Sequence, residues 1–142
     1  MYITIGEMIA DVESAQSKQD QIKQIQAYHK KYPEFRYFLK YAFFNDLEPA
    51  YTKIPDYKPN MVDVTFSYIK LENAIKSLKF FFKGSDLINP ETKRTNRLVS
   101  ILEEMSWKET SLYEMLVLNK FKNKILTKKL IQEALPELGI KK

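Results

Sequence analysis

The stretch Pro33-Glu34-Phe35-Arg36-Tyr37-Phe38-Leu39-Lys40-Tyr41-Ala42-Phe43 decides the fold class. Pro33 suits the first turn of a helix, where an amide proton would find no intrahelical partner and the ring already holds φ near its helical value. Behind it Phe35, Phe38, Leu39, Ala42 and Phe43 recur at three- and four-residue spacing. That spacing lays them in one stripe along a helix and lacks the period of two that marks a half-buried strand.

Toward the N-terminus the same pattern returns. Ile5, Met8, Ile9 and Val12 share one side of a short helix, and Ser17 is placed to cap a second that carries Ile22 and Ile25 as far as His29. Toward the C-terminus the pattern breaks. Between Asn45 and Val64, Pro49, Pro55 and Pro59 fall among Tyr51, Ile54 and Tyr57, too many prolines for a helix and too little alternation for a strand. A long crossing loop is expected, clamped onto the helices by its aromatics. From about Thr65, the residues Leu71, Ala74, Ile75, Leu78, Phe81 and Phe82 form a wide apolar face that predicts a central helix, ended by Gly84 in a left-handed cap.

Asn89 and Pro90 open a further helix with Leu98, Val99, Ile101, Leu102 and Met105 pointing inward. Ser106 and Glu109 have the spacing of a capping box for the helix bearing Trp107, Leu112, Met115 and Leu116. After a polar turn from Asn119 to Lys124, Thr127 caps a last helix through Leu130, Ile131, Ala134 and Leu135, stopped by Pro136 and Gly139. No segment reads as a strand and no fixed-period repeat is present. The expected architecture is all-α: a compact orthogonal helical bundle of about six to seven helices with one long proline-containing crossing loop.

Composition bounds the function classes. A length of 142 residues suits one helical domain over 1–142. Hydrophobic residues make up 44% and aromatics 13%, more than a disordered chain carries. No window holds 18 uninterrupted apolar residues, so no contact with a membrane interior is expected. Met1 to Val12 lack the basic flank and apolar run of a signal peptide, which favours the cytoplasm. The chain has no cysteine, which excludes disulfides, thiolate zinc sites, iron–sulfur clusters and a cysteine nucleophile.

Catalytic motifs are equally scarce. The single histidine, His29, sits beside Lys30 and Lys31 in a polar stretch, and Gly6, Gly84 and Gly139 do not cluster into a phosphate-binding loop. Glu103 and Glu104 are adjacent on a helix and point in different directions, and Asp46 with Glu48 forms no recognisable acid–base pair. The expectation is a protein that is not an enzyme, with no cofactor and no metal.

The charge is informative. Twenty-three basic residues face eighteen acidic ones, a net +5. From Asn119 to Lys142 seven lysines stand against Glu133 and Glu137, while the preceding residues balance at sixteen of each sign. Lys120, Lys122, Lys124, Lys128 and Lys129, with Thr127, surround the start of the last helix. Helix amides and lysine charges there would act together on a phosphate, without reading base sequence. The plainer reading of the same lysines is solubility. A second basic surface is expected from Lys76, Lys79 and Lys83, with Glu72 and Lys76 paired at four residues' spacing. Exposed tyrosines could stack on bases or enter a protein groove, and the loop residues Tyr51, Ile54 and Tyr57 are the candidate protein-interaction surface.

The segment Leu126-Thr127-Lys128-Lys129-Leu130-Ile131-Gln132-Glu133-Ala134-Leu135-Pro136-Glu137-Leu138, a threonine-capped helix with a Pro-x-Leu end, resembles the closing motif of an uncharacterised family of small proteins from tailed phages related to the T-even group. The order of elements is also similar to the helical N-terminal DNA-binding domain of ATP-dependent DNA ligases. That resemblance implies Lys122, Lys124, Thr127, Lys128 and Lys129 as contacts to duplex phosphates. Asn123 and Lys124 stand where the ligase turn usually has a glycine and a small hydroxyl residue, and no Lys-x-Asp-Gly adenylation motif occurs, so ligation is not implied. These resemblances and the basic segment together lead to the expectation of a non-catalytic phage accessory protein in the host cytoplasm. It would bind duplex DNA, or a DNA-associated replication complex, through its basic C-terminal helix-turn-helix segment. The alternatives are a protein-interaction module that modulates a host or phage enzyme and a self-assembling structural component.

Overall fold

The computed structural model describes residues 4–84 and 86–136. These contain seven α-helices: α1 (Ile5–Ser14), α2 (Lys18–Lys31), α3 (Pro33–Phe43), α4 (Leu71–Ala74), α5 (Glu91–Glu104), α6 (Trp107–Val117) and α7 (Lys128–Ala134). Two 3-10 helices, Val64–Phe66 and Ile75–Phe81, complete the regular structure. Among the described residues there is no strand, only isolated bridges, and the architecture is all-α. No described helix is long and apolar enough to cross a membrane. The described residues group into two compact units, one from Met1–Asn45 with Lys122–Lys142 and the other from Asp46–Phe121.

The first unit contains α1, α2, α3 and α7, with α2 packed against the other three. A capping box starts α1: the Thr4 hydroxyl accepts from the Glu7 amide at 3.1 Å, and the Glu7 carboxylate accepts from the Thr4 amide at 2.9 Å. Ile5, Met8, Ile9 and Val12 are buried as their spacing predicts. Ser17 caps α2 by accepting from the Asp20 amide, and α2 runs past His29 to Lys31, its last turn holding three basic side chains at the negative end of the helix. Pro33 takes the first turn of α3. The buried stripe there is Phe35, Phe38, Leu39 and Tyr41, with Ala42 and Phe43 only half-buried. It thus follows Phe35, Phe38 and Tyr41 at steps of three. From α7, Leu130, Ile131 and Ala134 are buried, and Gln26 donates to the Ala134 carbonyl at 2.9 Å, satisfying an acceptor that the helix end leaves open. The expected stop at Gly139 and the Pro-x-Leu end beyond Pro136 lie outside the described residues.

In the second unit the proline-rich loop is clamped as its aromatics suggest. The Tyr51 hydroxyl lies 2.9 Å from that of Thr95, the Arg94 guanidinium sits 5.4 Å from the Tyr51 ring centre, and Tyr57 donates to Glu114. The central segment departs from expectation. Only Leu71–Ala74 is α-helical, and the chain continues as a 3-10 helix to Phe81. The buried residues Ile75, Leu78 and Phe81 are three apart, a spacing that a helix of 3.0 residues per turn brings onto one line. Nor does Gly84 form a left-handed cap, since no described glycine has positive φ. Phe82 leaves the helix in extended geometry instead. Bonds from Ala50 N to Phe81 O at 2.9 Å and from Lys83 N to Glu48 O at 2.8 Å hold that exit against the loop.

The expected capping box at α6 is half made. Ser106 caps the helix, accepting from the Lys108 amide at 3.3 Å. Glu109 turns inward, is almost wholly buried, and accepts from the Leu71 amide at 3.0 Å, so it caps α4 rather than its own helix. Burial pushes the Glu109 carboxyl above the usual carboxylate range, with Glu72 adding to the shift. A raised folded-state pKa gives stability that is present in acid and lost as pH rises through that pKa. Glu109→Gln keeps the acceptor and removes the charge. Its stability relative to the parent is therefore expected to improve from about pH 4 to neutrality, whereas Glu109→Ala orphans the Leu71 amide at a cost of about 1–3 kcal/mol. Urea titrations across that pH range check both; a Gln-to-parent difference independent of pH would contradict the assignment.

Candidate nucleic-acid interface

The approach to the basic segment is set by the end of α6. Asn119 has φ 54°, a left-handed conformation that asparagine tolerates better than most residues. Around it, Lys120 N donates to Met115 O at 2.8 Å and Asn119 N to Leu116 O at 3.1 Å, the paired bonds of a Schellman cap. Lys120 belongs to the second unit, while Lys122, Lys124, Thr127, Lys128 and Lys129 belong to the first.

Within the first unit Asn123 organises the turn. Its side-chain oxygen accepts from the amides of Ile125 and Leu126, both at 2.9 Å, and its amide group donates to Glu13 at 2.8 Å. The Thr127 hydroxyl then accepts from Leu130 N at 3.2 Å and the Thr127 carbonyl from Ile131 N at 3.0 Å, which starts α7. Three amides along the turn and first helical turn are thus occupied by the chain's own side chains. Of the first-turn amides of α7, that of Leu130 is taken by the Thr127 side chain, and among the described residues none takes those of Lys128 and Lys129. Because α7 has only seven residues, its cap carries much of its stability. Thr127→Ala is expected to cost about 0.5–2 kcal/mol, measured by urea unfolding.

Lys122, Lys124, Lys128 and Lys129 are all exposed, and among the described residues none forms a salt bridge. Lys128 lies 5.5 Å from the Phe44 ring centre. Lys124 and Lys129 join Thr127 and Lys18 along an open cleft of about 280 Å³, where the Glu133 carboxylate is already engaged by Lys18 at 2.7 Å. The first unit carries twelve basic residues against seven acidic ones, and the second carries eleven of each. The entire net charge of the chain therefore belongs to the first unit.

The other candidate residues are differently disposed. Tyr51, Ile54 and Tyr57 are half-buried, and both tyrosine hydroxyls bond within the second unit. In the expected second basic surface Lys83 pairs with Glu48 at 2.8 Å, and Lys79 lies 5.3 Å from the Phe80 ring centre. Glu72 and Lys76 straddle the change from α to 3-10 geometry, which removes the four-residue alignment their pairing needs; among the described residues they form no salt bridge. In comparisons with known proteins, no family model matches the chain, and neither a curated protein nor a solved structure does.

Proposed function

We propose that this chain is a non-catalytic accessory protein that holds duplex DNA by its phosphate backbone through Lys122, Lys124, Lys128 and Lys129. The observation that carries this reading is the concentration of all the net positive charge on one unit, where these four exposed lysines lack carboxylate partners among the described residues. Each ammonium is a strongly hydrated point charge on a flexible stem, suited to displacing counterions from a polyanion. Lysine contacts to phosphate position the protein and select no base. The resemblance to T-even-related phage proteins and to ligase DNA-binding domains agrees with this reading and favours an infected host cell as its setting.

Fluorescence anisotropy with two labelled duplexes of unrelated sequence tests the proposal. Equal affinities, falling linearly with salt on a double-logarithmic plot, are expected. No affinity at low salt, or a strong preference for one duplex, would contradict it.

A further inference from the structure

Seven large apolar side chains are exposed among the described residues, and five of them fall in one part of the second unit. They are Met61 at 72% exposure, Val62 at 40%, Phe66 at 77%, Tyr68 at 84% and Trp107 at 46%. Four of these sit on a strap of residues 60–69 that is tied along the junction of α5 and α6. Trp107 N donates to Asn60 O at 2.8 Å, Ser106 Oγ to Val62 O at 2.7 Å, and Ile69 N to Glu104 O at 3.1 Å. The Lys70 ammonium closes the strap by donating to the carbonyls of Val64 and Ser67 at 2.9 and 3.2 Å. The backbone is anchored at both ends while its largest side chains face water. Single exposed apolar residues need no explanation, but a cluster on a fixed strap marks a surface that another molecule covers.

We infer that this face docks a second copy of the chain about a twofold axis. A fully covered aromatic side chain contributes about 150–250 Å², so the exposed fractions of Phe66, Tyr68 and Trp107 amount to roughly 400 Å². Met61 and Val62 raise the patch to roughly 600 Å² per copy, or about 1,200 Å² for two, which reaches the range of specific interfaces. Charge favours the same occupant. The second unit has equal numbers of basic and acidic residues, so two such units meet without net repulsion, whereas a nucleic acid strand would require an excess of cations. Beside Trp107, Lys108 and Asp63 lie 2.6 Å apart with both side chains half exposed. They offer one charge of each sign, which a twofold contact can exchange between copies.

The absence of cysteine makes the test direct, because Tyr68→Cys supplies the only thiol. In sedimentation velocity the parent protein is expected to show a concentration-dependent dimer. Phe66→Ser with Trp107→Ser is expected to weaken it at least about tenfold with an unchanged far-ultraviolet dichroism spectrum. On mild oxidation Tyr68→Cys is expected to give a covalent dimer, while Lys53→Cys, at an exposed position elsewhere in the same unit, dimerises like the parent but without the covalent cross-link. A parent protein that is monomeric at every concentration, a dimer that survives the double serine variant, or equal cross-linking of the two cysteine variants overturns the inference. So does binding of a single-stranded oligonucleotide that the serine variant abolishes.

Discussion

Phe81→Ala is expected to lower the unfolding free energy by about 3–5 kcal/mol, a large fraction of what a small protein possesses. Lys79→Ala, two positions away, should change it by no more than about 0.5 kcal/mol. Phe81 is fully buried as the third member of the Ile75, Leu78, Phe81 series, and truncating its ring leaves a cavity that the packed second unit cannot collapse around. Lys79 is exposed. On this segment Ile75, Leu78 and Phe81 line the inner side, and position 79 falls off that line toward solvent. Urea unfolding followed by circular dichroism gives both values. A small loss at Phe81 together with a large one at Lys79 would contradict this burial pattern.

The features legible in the sequence are those whose physics is local. Ser17, Pro33 and Thr127 start helices because each needs only its own first turn, and α1 buries the residues its spacing names. The reciprocal box at Thr4 and Glu7 has the same local signature, a threonine three residues before a glutamate. At Ser106 that signature misleads, because Glu109 is drawn to an amide thirty-eight residues away in sequence. The left-handed cap expected at Gly84 does not form, because the exit of the central segment is governed by the distant loop's bonds to Phe81 and Lys83. Such choices depend on distant partners that no window of sequence contains.

The candidate interface divides in the same way. Its lysines are visible because charge is a property of composition, and their segregation onto one unit sharpens the uneven distribution read along the chain. The fate of the amides is not visible there, since it turns on where the Asn123 side chain folds back. The apolar strap is hidden too: Phe66, Tyr68 and Trp107 look like core residues until the backbone bonds that hold them outward are known.

The most direct measurement of the proposed function compares two variants of equal charge on one duplex. In the first, Lys122, Lys124, Lys128 and Lys129 become alanine; in the second, the exposed Lys53, Lys58, Lys76 and Lys93 of the other unit do. Each phosphate contact contributes about 0.9 to the slope of log affinity against log salt. Losing the four contacts should therefore flatten the slope by roughly 3–4 and remove the part of the affinity that falls about a hundredfold between about 50 and 200 mM salt. The second variant should retain the parent's slope. If the first variant binds with the parent's affinity and slope, or if both lose the same amount, the lysines beside α7 are not where DNA is held.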